Sequence, residues 1–398
     1  MKLHSTNGTP PRRILLVETN HDGTFGGSHR AMFDLVRHLD RDRYLPVALF
    51  YEDNPLVNRL RADGFHVLTW DEQWRREHGA HARWFRPRRL MGFAEAITRR
   101  VALLRGERID LVHINNSPSY SYYDWLPAAR LVGIPCVTHL RGELYPINNK
   151  LIHWLACRFD RYIAISSYVN GLLKDAHFPC ERISQIEDGV DGEELVRSVK
   201  RSPSSVREEL GVTADRLLVV MAGHLRDWKG QDVVLLALAA LPSEIRSRIY
   251  LVFAGADDPH DVAYRRRLDD LVRTHNLDSC CRFLGGRRDV PDLMNAADVV
   301  LHASTRPEPF GLVVLEGMAL GRLVIASALG GPLEIMTDGG GWTFDPRKPA
   351  ELSALLWRVV ENPGLVTAHA DVAIARAQEF TAQRTTSRVQ SVYDELLA

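Results

Sequence analysis

The chain has 398 residues, of which 45% are apolar and 25% charged, and its 50 Lys and Arg balance its 50 Asp and Glu. This length suits two domains of about 150–200 residues each, and the composition is that of an ordinary soluble globular protein. The formal net charge of zero argues against a protein that mainly coats nucleic acid, so no nucleic-acid partner is expected.

The sequence contains five cysteines, namely Cys136, Cys157, Cys180, Cys280 and Cys281. They form no CxxC pair and no His/Cys spacing that suits zinc. Their odd number and low density disfavour a disulfide framework and fit a reducing cytosol. Residues 1–13 are mostly polar, residues 14–17 are too short for the apolar core of a signal peptide, and the longest apolar run, 233–241, is too short to span a bilayer. We therefore expect a cytoplasmic protein that is not integral to a membrane.

Apolar runs rich in β-branched residues alternate with helix-period segments along the first half of the chain. Arg13–Thr19 is typical of a buried strand, and Ser28–Leu39 follows with one apolar helical face. Further strands are predicted at Leu45–Tyr51, His66–Trp70, Asp110–Asn115, Cys136–Leu140, Tyr162–Ser166 and Ile183–Glu187. This alternation predicts a parallel sheet that is covered by helices on both faces.

The pattern restarts after Gly192–Ser205, a largely polar stretch with Pro203 that we interpret as a linker. A second series of strands is predicted at Leu217–Gly223, Ile249–Gly255, Arg282–Gly285, Asp298–Ser304, Leu323–Ser327 and Trp342–Phe344. The simplest interpretation is an α/β protein with two Rossmann-like domains, at residues 1–192 and 193–375. Glu351–Ala398 is predicted to be mostly helical with a break near Pro363, and its end, residues 376–398, to pack back toward the N-terminal domain.

Ligands of open parallel sheets bind outside the carboxyl ends of the strands, so we expect a site in the cleft between the domains. Gly26 and Gly27 follow the first strand, where glycine lets backbone N–H groups approach a phosphate; the alternative is a tight strand-to-helix turn. His139 ends a predicted strand and is either a hydrogen-bonding partner of a substrate hydroxyl or a core-edge histidine bonded to the backbone.

The segment from Gly223 to Gly230 follows the first strand of the second half. Lys229 would supply a point charge for a diphosphate, with Arg226 as a second candidate. The alternative is an ordinary solvated loop, which is common for Lys and Arg. Because the segment follows a strand end and is flanked by glycines, the diphosphate contact stays open beside the solvated loop.

The segment 304–321 is the most informative. Glu308 lies in the loop after a predicted strand, and a helix is predicted to begin near Phe310. Its first N–H groups, those of Phe310, Gly311 and Leu312, would form an anion site. Because helical side chains lean toward the N-terminus, Glu316 would reach back past the phosphate to a ribose, while Glu308 would face the sugar. The alternative is a helix with one Glu in its loop and another inside it.

This segment, EPFGLVVLEGMALG followed by VIAS and Gly330-Gly331, resembles the E-x7-E motif of the retaining glycosyltransferases of family 4, which have the GT-B fold. The Gly26-Gly27 loop, His139, the GVD of residues 189–191 and Lys229-Gly230 fall in the same order as in that family. Two positions depart from its pattern: His224 stands where Arg is usual, and Asp188 where Asn is common.

The resemblance implies that Gly27 and Lys229 hold the diphosphate of a nucleotide-sugar, with Arg226 as a further cation. It implies that Glu308 contacts the sugar, that Glu316 contacts the ribose and that His139 lies beside the transferred sugar. The loop Gly286–Arg288 would cup the base. The implied activity is transfer of a hexose with retention, without a metal or other cofactor, to a glycan, lipid-linked or small-molecule acceptor that the sequence does not identify.

Rival interpretations are a nucleotide-sugar epimerase, a phosphorylase and a non-catalytic nucleotide-sugar binding module. The implied chemistry is front-face departure of the nucleotide; a double displacement with Glu308 as nucleophile is the alternative. Residues 74–89 hold six arginines with Trp74, Trp84 and Phe85, which suits peripheral contact with an anionic membrane or acceptor or a solvated loop.

Overall fold

The computed structural model describes residues 10–20, 26–70, 87–116, 118, 124–142, 144, 147, 149–258 and 261–398. Contacts divide the chain into two compact units, one formed by Met1–Gly189 with Ala382–Ala398 and the other by Val190–Thr381. The domain boundaries predicted from the sequence were after residue 192 and before residue 376. Of the basic segment 74–89, residues 74–86 and the side chains of 87–89 lie outside the described parts. Within those parts, no helix has the length and apolar character needed to cross a membrane.

Seven parallel strands form the sheet of the first unit: β1 (Arg12–Glu18), β2 (Tyr44–Phe50), β3 (His66–Thr69), β4 (Leu111–Asn115), β5 (Cys136–Leu140), β6 (Arg161–Ala164) and β7 (Ile183–Gln185). They lie in the order β3-β2-β1-β4-β5-β6-β7. Residues 14–17 of β1 are fully buried, because helices cover both faces of a parallel sheet. All seven strands were predicted, with ends that differ by about two residues or fewer.

Six parallel strands form the sheet of the second unit: β8 (Leu217–Ala222), β9 (Ile249–Ala254), β10 (Cys281–Phe283), β11 (Val299–His302), β12 (Leu323–Ser327) and β13 (Trp342–Phe344). Their order is β10-β9-β8-β11-β12-β13. The predicted fold class, two Rossmann-like α/β units, is confirmed.

The helices within the described residues are α1 (Gly27–His38), α2 (Pro55–Ala62), α3 (Pro87–Gly106), α4 (Trp125–Val132), α5 (Lys150–Ala156), α6 (Ser167–Asp175), α7 (Gly192–Ser198), α8 (Pro203–Leu210), α9 (Gln231–Ala239), α10 (Ser243–Arg246), α11 (Val262–Thr274), α12 (Val290–Ala296), α13 (Leu312–Ala319), α14 (Pro332–Ile335), α15 (Pro349–Glu361), α16 (Gly364–Ala377) and α17 (Ala382–Leu397). The last three form the predicted helical end of the chain, which is interrupted at Pro363 as expected.

The predicted linker is wrong, because residues 192–205 lie mostly in α7 and α8. The Asp191 carboxylate accepts a hydrogen bond from Glu194 N at 2.9 Å, and Ser202 Oγ accepts one from Ser205 N at 3.2 Å. These are N-cap contacts that satisfy first-turn N–H groups, and Pro203 stands at the favoured first helical position of α8. The polar residues that suggested a linker are therefore helix-start signals.

The C-terminal helix α17 belongs to the first unit and packs against α1. Val389 and Tyr393 are fully buried there, and Gln390 Oε1 accepts a hydrogen bond from Asp40 N at 2.7 Å. The chain thus returns its last helix to the sheet built by its first half.

Candidate functional site

The loop that follows β8 carries Lys229 and is fixed to the end of β11. A Cβ on Gly230 would lie 2.0 Å from Ala303 O, and Gly230 has a φ of +78°, so both space and backbone conformation require glycine. Trp228 O accepts a hydrogen bond from Thr305 N at 2.8 Å. Because the loop is held at both points, the Lys229 side chain has a defined position beside the neighbouring strand end.

Glu308 is the centre of a compact polar cluster in the second unit. Lys229 Nζ lies 3.1 and 2.9 Å from its two carboxylate oxygens. Ser304 Oγ donates to Glu308 Oε2 at 2.8 Å, and His302 Nε2 lies 3.3 Å from the same oxygen. Ser327 Oγ contacts His302 Nδ1 at 3.3 Å. The cluster joins the ends of β11 and β12 to the loop after β8, where the sequence placed a donor site.

The charges of this cluster favour an ionised Glu308. Burial by itself would raise the pKa of the carboxyl, but the Lys229 ammonium and the His302 ring outweigh burial and hold that pKa well below its ordinary range. The Glu308 side chain keeps 15% exposure and that of Lys229 21%, so both remain accessible. The site therefore offers a permanent carboxylate and a cation within hydrogen-bond distance of each other.

Two glycines support the backbone beneath Glu308. A Cβ on Gly330 would lie 2.3 Å from Glu308 O, and one on Gly331 would lie 2.4 Å from the Cα of Phe310. Gly331 N donates to Glu308 O at 2.8 Å. The Gly330-Gly331 pair is needed because another backbone approaches closely, and it fixes the loop that leads into α13.

The helix that follows begins two residues later than predicted. Gly311 has a φ of +103° and caps α13, whose first residue is Leu312, so Phe310 is not a helical residue. Its side chain is buried, 3% exposed, and packs edge-on against Phe380. By the geometry of a helix start, the unpaired N–H groups are those at Leu312 and just after it. Glu316 is half-buried, one turn after Leu312 on the same face.

The remaining predicted donor contacts lie in the loops that follow β8 and β10. Arg226 Nε is 2.8 Å from a carboxylate oxygen of Asp258 in the loop that follows β9, so its charge is paired with that of a neighbouring loop. The backbone oxygen of His224 accepts from Gln231 Nε2 at 3.0 Å. A Cβ on Gly286 would be 3.5 Å from the Cβ of Ala256, an ordinary contact.

In the first unit, Gly27 is the first residue of α1 and Gly26 is its N-cap. The Ser28 carbonyl at the start of α1 accepts a hydrogen bond from Asn115 Nδ2 at 3.0 Å. Asn115 also donates to Glu18 at the end of β1, and Asn20 N donates to the other Glu18 oxygen at 2.9 Å. These contacts join the glycine turn to the ends of β1 and β4.

Burial raises the pKa of Glu18 to about 7, although its hydrogen bonds with Asn20 and Asn115 and the nearby Arg141 oppose this shift. The side chain is 1% exposed. Glu18 was not predicted from the sequence, since a carboxylate at a strand end carries no pattern of its own.

His139 lies at the end of β5 in a buried network that the sequence did not reveal. Its Nδ1 is 3.2 Å from His113 Nε2 and 3.1 Å from Arg141 Nη2. Arg141 also pairs with Asp188, and Tyr393 Oη lies 2.7 Å from His113 Nδ1. Asp188, where the family pattern has Asn, is thus the counter-ion of a buried arginine. The Arg141 side chain is 3% exposed.

No group of three His, Cys, Asp or Glu side chains that could hold a metal occurs in the described parts of the chain. All five cysteines are free thiols.

Two family models match the chain. The model "Glycosyltransferase Family 4" matches residues 25–194 and "Glycosyl transferases group 1" matches residues 204–379. A D-inositol 3-phosphate glycosyltransferase of Saccharomonospora viridis is 32% identical over 334 residues, which are 78% of this chain and 76% of that protein. One from Salinispora arenicola is 27% identical over 337 residues, 78% of this chain and 74% of that protein.

Solved structures share the fold over almost the whole chain. HepE of Anabaena in complex with UDP and glucose has a TM-score of 0.80 and 25% identity, and the match covers 97% of this chain and 100% of HepE. WaaG, a glycosyltransferase involved in lipopolysaccharide biosynthesis, has a TM-score of 0.67 at 18% identity over 96% of this chain and 98% of WaaG; this likeness concerns the fold alone.

Proposed function

The chain belongs to the family 4 glycosyltransferases of the GT-B fold, and from that premise we propose that it transfers a hexose from a UDP-sugar with retention of configuration and without a metal ion. A nucleotide-sugar is the donor class of this family. The choice of UDP rests on the Anabaena structure with UDP and glucose.

The observation that carries the proposal is the Lys229–Glu308 pair beside the start of α13. An ammonium and an ionised carboxylate 2.9 Å apart can bind adjacent parts of one donor, the ammonium a diphosphate oxygen and the carboxylate a sugar hydroxyl. The N-terminus of α13 adds a second positive region for the diphosphate. Glu316, one turn further, is assigned to the ribose hydroxyls. From the family resemblance, Gly27 is assigned to the diphosphate and His139 to the transferred sugar.

In this mechanism, the bond between the anomeric carbon and the diphosphate oxygen breaks while the acceptor oxygen bonds to the same face of that carbon. The acceptor proton passes to the departing diphosphate oxygen, so no protein base is required. Lys229 and the start of α13 stabilise the charge that develops on the leaving group.

Double displacement through Glu308 is the less favoured route. A carboxylate with a depressed pKa that already accepts hydrogen bonds from Lys229 and Ser304 is a weak nucleophile. Trapping a covalent glycosyl–Glu308 adduct would reverse this ranking.

The first experiment is a binding panel of UDP-, GDP-, ADP- and dTDP-sugars, measured by thermal shift and calorimetry. We expect selective stabilisation by UDP-sugars, lost in Glu316→Ala but kept in Glu361→Ala, which removes an exposed glutamate of α15 in the same unit. Stabilisation by another nucleotide would correct the base, and stabilisation by none would contradict the donor site.

Turnover is tested with D-inositol 3-phosphate first, because the relatives are named for that acceptor, followed by glycan and lipid-linked acceptors. We expect the product to keep the donor's anomeric configuration by NMR, and the rate to be unchanged in EDTA. Donor consumption without acceptor would indicate an epimerase, phosphate-dependent turnover a phosphorylase, and binding without any turnover a binding module.

We also propose a cytoplasmic location with peripheral membrane contact through residues 74–89. The support is their six arginines and three aromatic residues. Neutralising the arginines should abolish cosedimentation with anionic vesicles; unchanged sedimentation would contradict the contact.

A further inference from the structure

Beyond the contact of His139 with the donor, the buried network of the first unit fixes where the protons of its histidines lie. His139 and His113 are both fully buried. Four contacts define the network: Arg141 to His139, His139 to His113, His113 to Tyr393, and Arg141 to Asp188. Each of these groups has a known capacity to donate or accept, and this capacity decides the proton positions.

The Arg141 side chain fixes the tautomer of His139. A guanidinium has five N–H donors and no acceptor, so the 3.1 Å contact between Arg141 Nη2 and His139 Nδ1 requires a lone pair on Nδ1. A proton on that nitrogen would place two N–H groups against each other. His139 is therefore neutral, and its single ring proton lies on Nε2.

The tautomer of His139 in turn fixes that of His113. Since His139 Nδ1 is an acceptor, His113 Nε2 at 3.2 Å must carry a proton and donate it. The other nitrogen of a neutral His113, Nδ1, is then an acceptor, and Tyr393 Oη donates to it at 2.7 Å. The reverse arrangement would bring two lone pairs together at His139. One assignment satisfies all three contacts, with the single lone pair of His139 Nδ1 shared between Arg141 and His113.

The opposite edge of the His139 ring carries its other nitrogen, Nε2. Nε2 is buried and has no hydrogen-bond partner among the described residues, yet it carries the proton. An unpaired buried donor is costly, so this edge suits a ligand that supplies an acceptor oxygen.

We propose that His113, Arg141 and Tyr393 act as positioning residues that hold His139 as the neutral Nε2–H tautomer, a donor to an uncharged oxygen such as a sugar hydroxyl. The ligand half of this statement rests on the proposed function, whereas the tautomer half does not. The device joins three elements of the first unit: β4, the end of β5 and the C-terminal helix α17.

The surrounding charges agree with this assignment. The groups around the two histidines are Arg141, its partner Asp188, Tyr393, and Glu18 through Asn115. Burial, and next the Arg141 charge, lowers the pKa of His113 to about 3 and lowers that of His139 well below its usual range. Neither ring takes a second proton near neutral pH.

The test is nitrogen NMR of the full chain with ¹⁵N-labelled histidine, with His139→Gln and His113→Gln used to assign the signals. In the wild type we expect Nε2 protonated and Nδ1 unprotonated in both rings, without titration between pH 6 and 8. A protonated Nδ1 on His139, or a doubly protonated ring in this range, would overturn the proposal.

Tyr393→Phe tests the far end of the network. Removing its hydroxyl frees His113 Nδ1 to take the proton, and we expect a second His113 tautomer to appear and kcat/KM to fall about fivefold, the size of one hydrogen bond. The matched control is Tyr44→Phe, because Tyr44 is also buried but bonds Asp394 and Gln390 of α17 instead of a histidine. Equal effects of the two variants on the His113 spectrum would overturn the proposal that Tyr393 positions His113.

UDP-glucose and its monodeoxy and monodeoxyfluoro analogues test the direction of the ligand bond. Fluorine accepts weakly whereas hydrogen does not, so at the hydroxyl that His139 contacts we expect the fluoro analogue to bind better than the deoxy analogue, and His139→Ala to erase the difference. Equal losses at every position would overturn the donor role. If UDP-glucose itself fails to bind, the proposed function is contradicted, while the tautomer is still decided by NMR.

Discussion

The two candidate sites differ in which of their ionisable groups are charged. In the second unit, Lys229 keeps Glu308 ionised and both side chains remain partly exposed. In the first unit, His113 and His139 are fully buried and neutral, and burial raises the pKa of Glu18 to about 7. Ion pairing therefore sets the charge of Glu308, whereas burial sets that of the two histidines and of Glu18.

The same two sites also differ in how far apart their members lie along the chain. Ser304 and His302 are four and six residues from Glu308. Arg141 is 47 residues from Asp188, and His113 is 280 residues from Tyr393. The second site combines one short loop with Lys229, which is 79 residues from Glu308 and is held by the close approach of Gly230 to Ala303, whereas the first also needs the C-terminal helix α17. Substitutions should consequently act by different mechanisms in the two units.

The largest effect is expected at Arg141. Arg141→Met leaves Asp188, which is 3% exposed, without its counter-ion, and we expect the free energy of unfolding to fall by about 3–5 kcal/mol. Arg130→Met removes a half-exposed partner of Asp160 and should cost about 1 kcal/mol or less. Denaturant unfolding measures both.

Adding Asp188→Asn to Arg141→Met should restore part of the lost stability, because no unpaired buried charge remains. If the double variant is no more stable than Arg141→Met, the loss comes from packing and not from charge.

The second effect concerns the loop glycine of the other unit. Gly230→Ala places a Cβ 2.0 Å from Ala303 O and should lower the free energy of unfolding by about 2–4 kcal/mol and abolish UDP-sugar binding. Gly211→Ala is the matched control, since Gly211 has a similar φ of +69° and no atom within 4 Å of its added Cβ. It should cost about 1 kcal/mol, the conformational part alone. Equal losses would show that the close approach to Ala303 is unimportant.

The difference between the two sites also explains which of their residues could be predicted from the sequence. The strands before Lys229 and Glu308 were predicted correctly because β-strand patterning marks them, and a contiguous motif singled out the two side chains as candidates. Arg141 and Tyr393 were missed because periodicity does not say which helix returns to which strand ends. The side-by-side placement of β4 and β5 becomes evident only from the strand order.

The predicted start of α13 and the predicted linker were wrong for reasons that lie within a few residues of each. The start of α13 was predicted at Phe310 because the sequence does not show that Gly311 adopts a φ of +103°, which lies outside helical backbone. The polar residues before Pro203 resembled a linker, although Ser202 is an N-cap. The roles assigned to all of the predicted site residues, including Lys229, Glu308 and His139, stay predictions, since they depend on a bound donor.

The third effect is a pH dependence of opposite sign in the two units. Between about pH 4.3 and pH 7, folded Glu18 keeps a proton that the unfolded chain has released. The free energy of unfolding therefore falls as pH rises through this window, by up to about 3 kcal/mol. Glu308 has a depressed pKa, so its contribution is complete above about pH 4.3 and is lost as pH falls below that value.

Glu18→Gln and Glu308→Gln separate these two contributions in stability curves from pH 3 to 8. The first variant should flatten the fall between about pH 4.3 and pH 7, and the second should reduce the loss at acid pH. A Glu18→Gln curve parallel to the wild type would mean that Glu18 is ionised in the folded state at neutral pH.

The smallest effect separates the two cations of the loop after β8. Arg226 is paired with Asp258 at 2.8 Å, so its charge is already neutralised, and we expect Arg226→Gln to weaken UDP-sugar binding by about threefold or less, the scale of a partly exposed ion pair. Lys229→Gln removes the ammonium beside Glu308 and should weaken binding by more than about tenfold, since charge-assisted bonds to phosphate are lost. Calorimetry at two salt concentrations distinguishes the variants, because the loss of a cation that contacts the diphosphate also lowers the salt dependence of binding. Equal losses would mean that Arg226 leaves Asp258 to bind the diphosphate and takes the place of the arginine that the family has at His224.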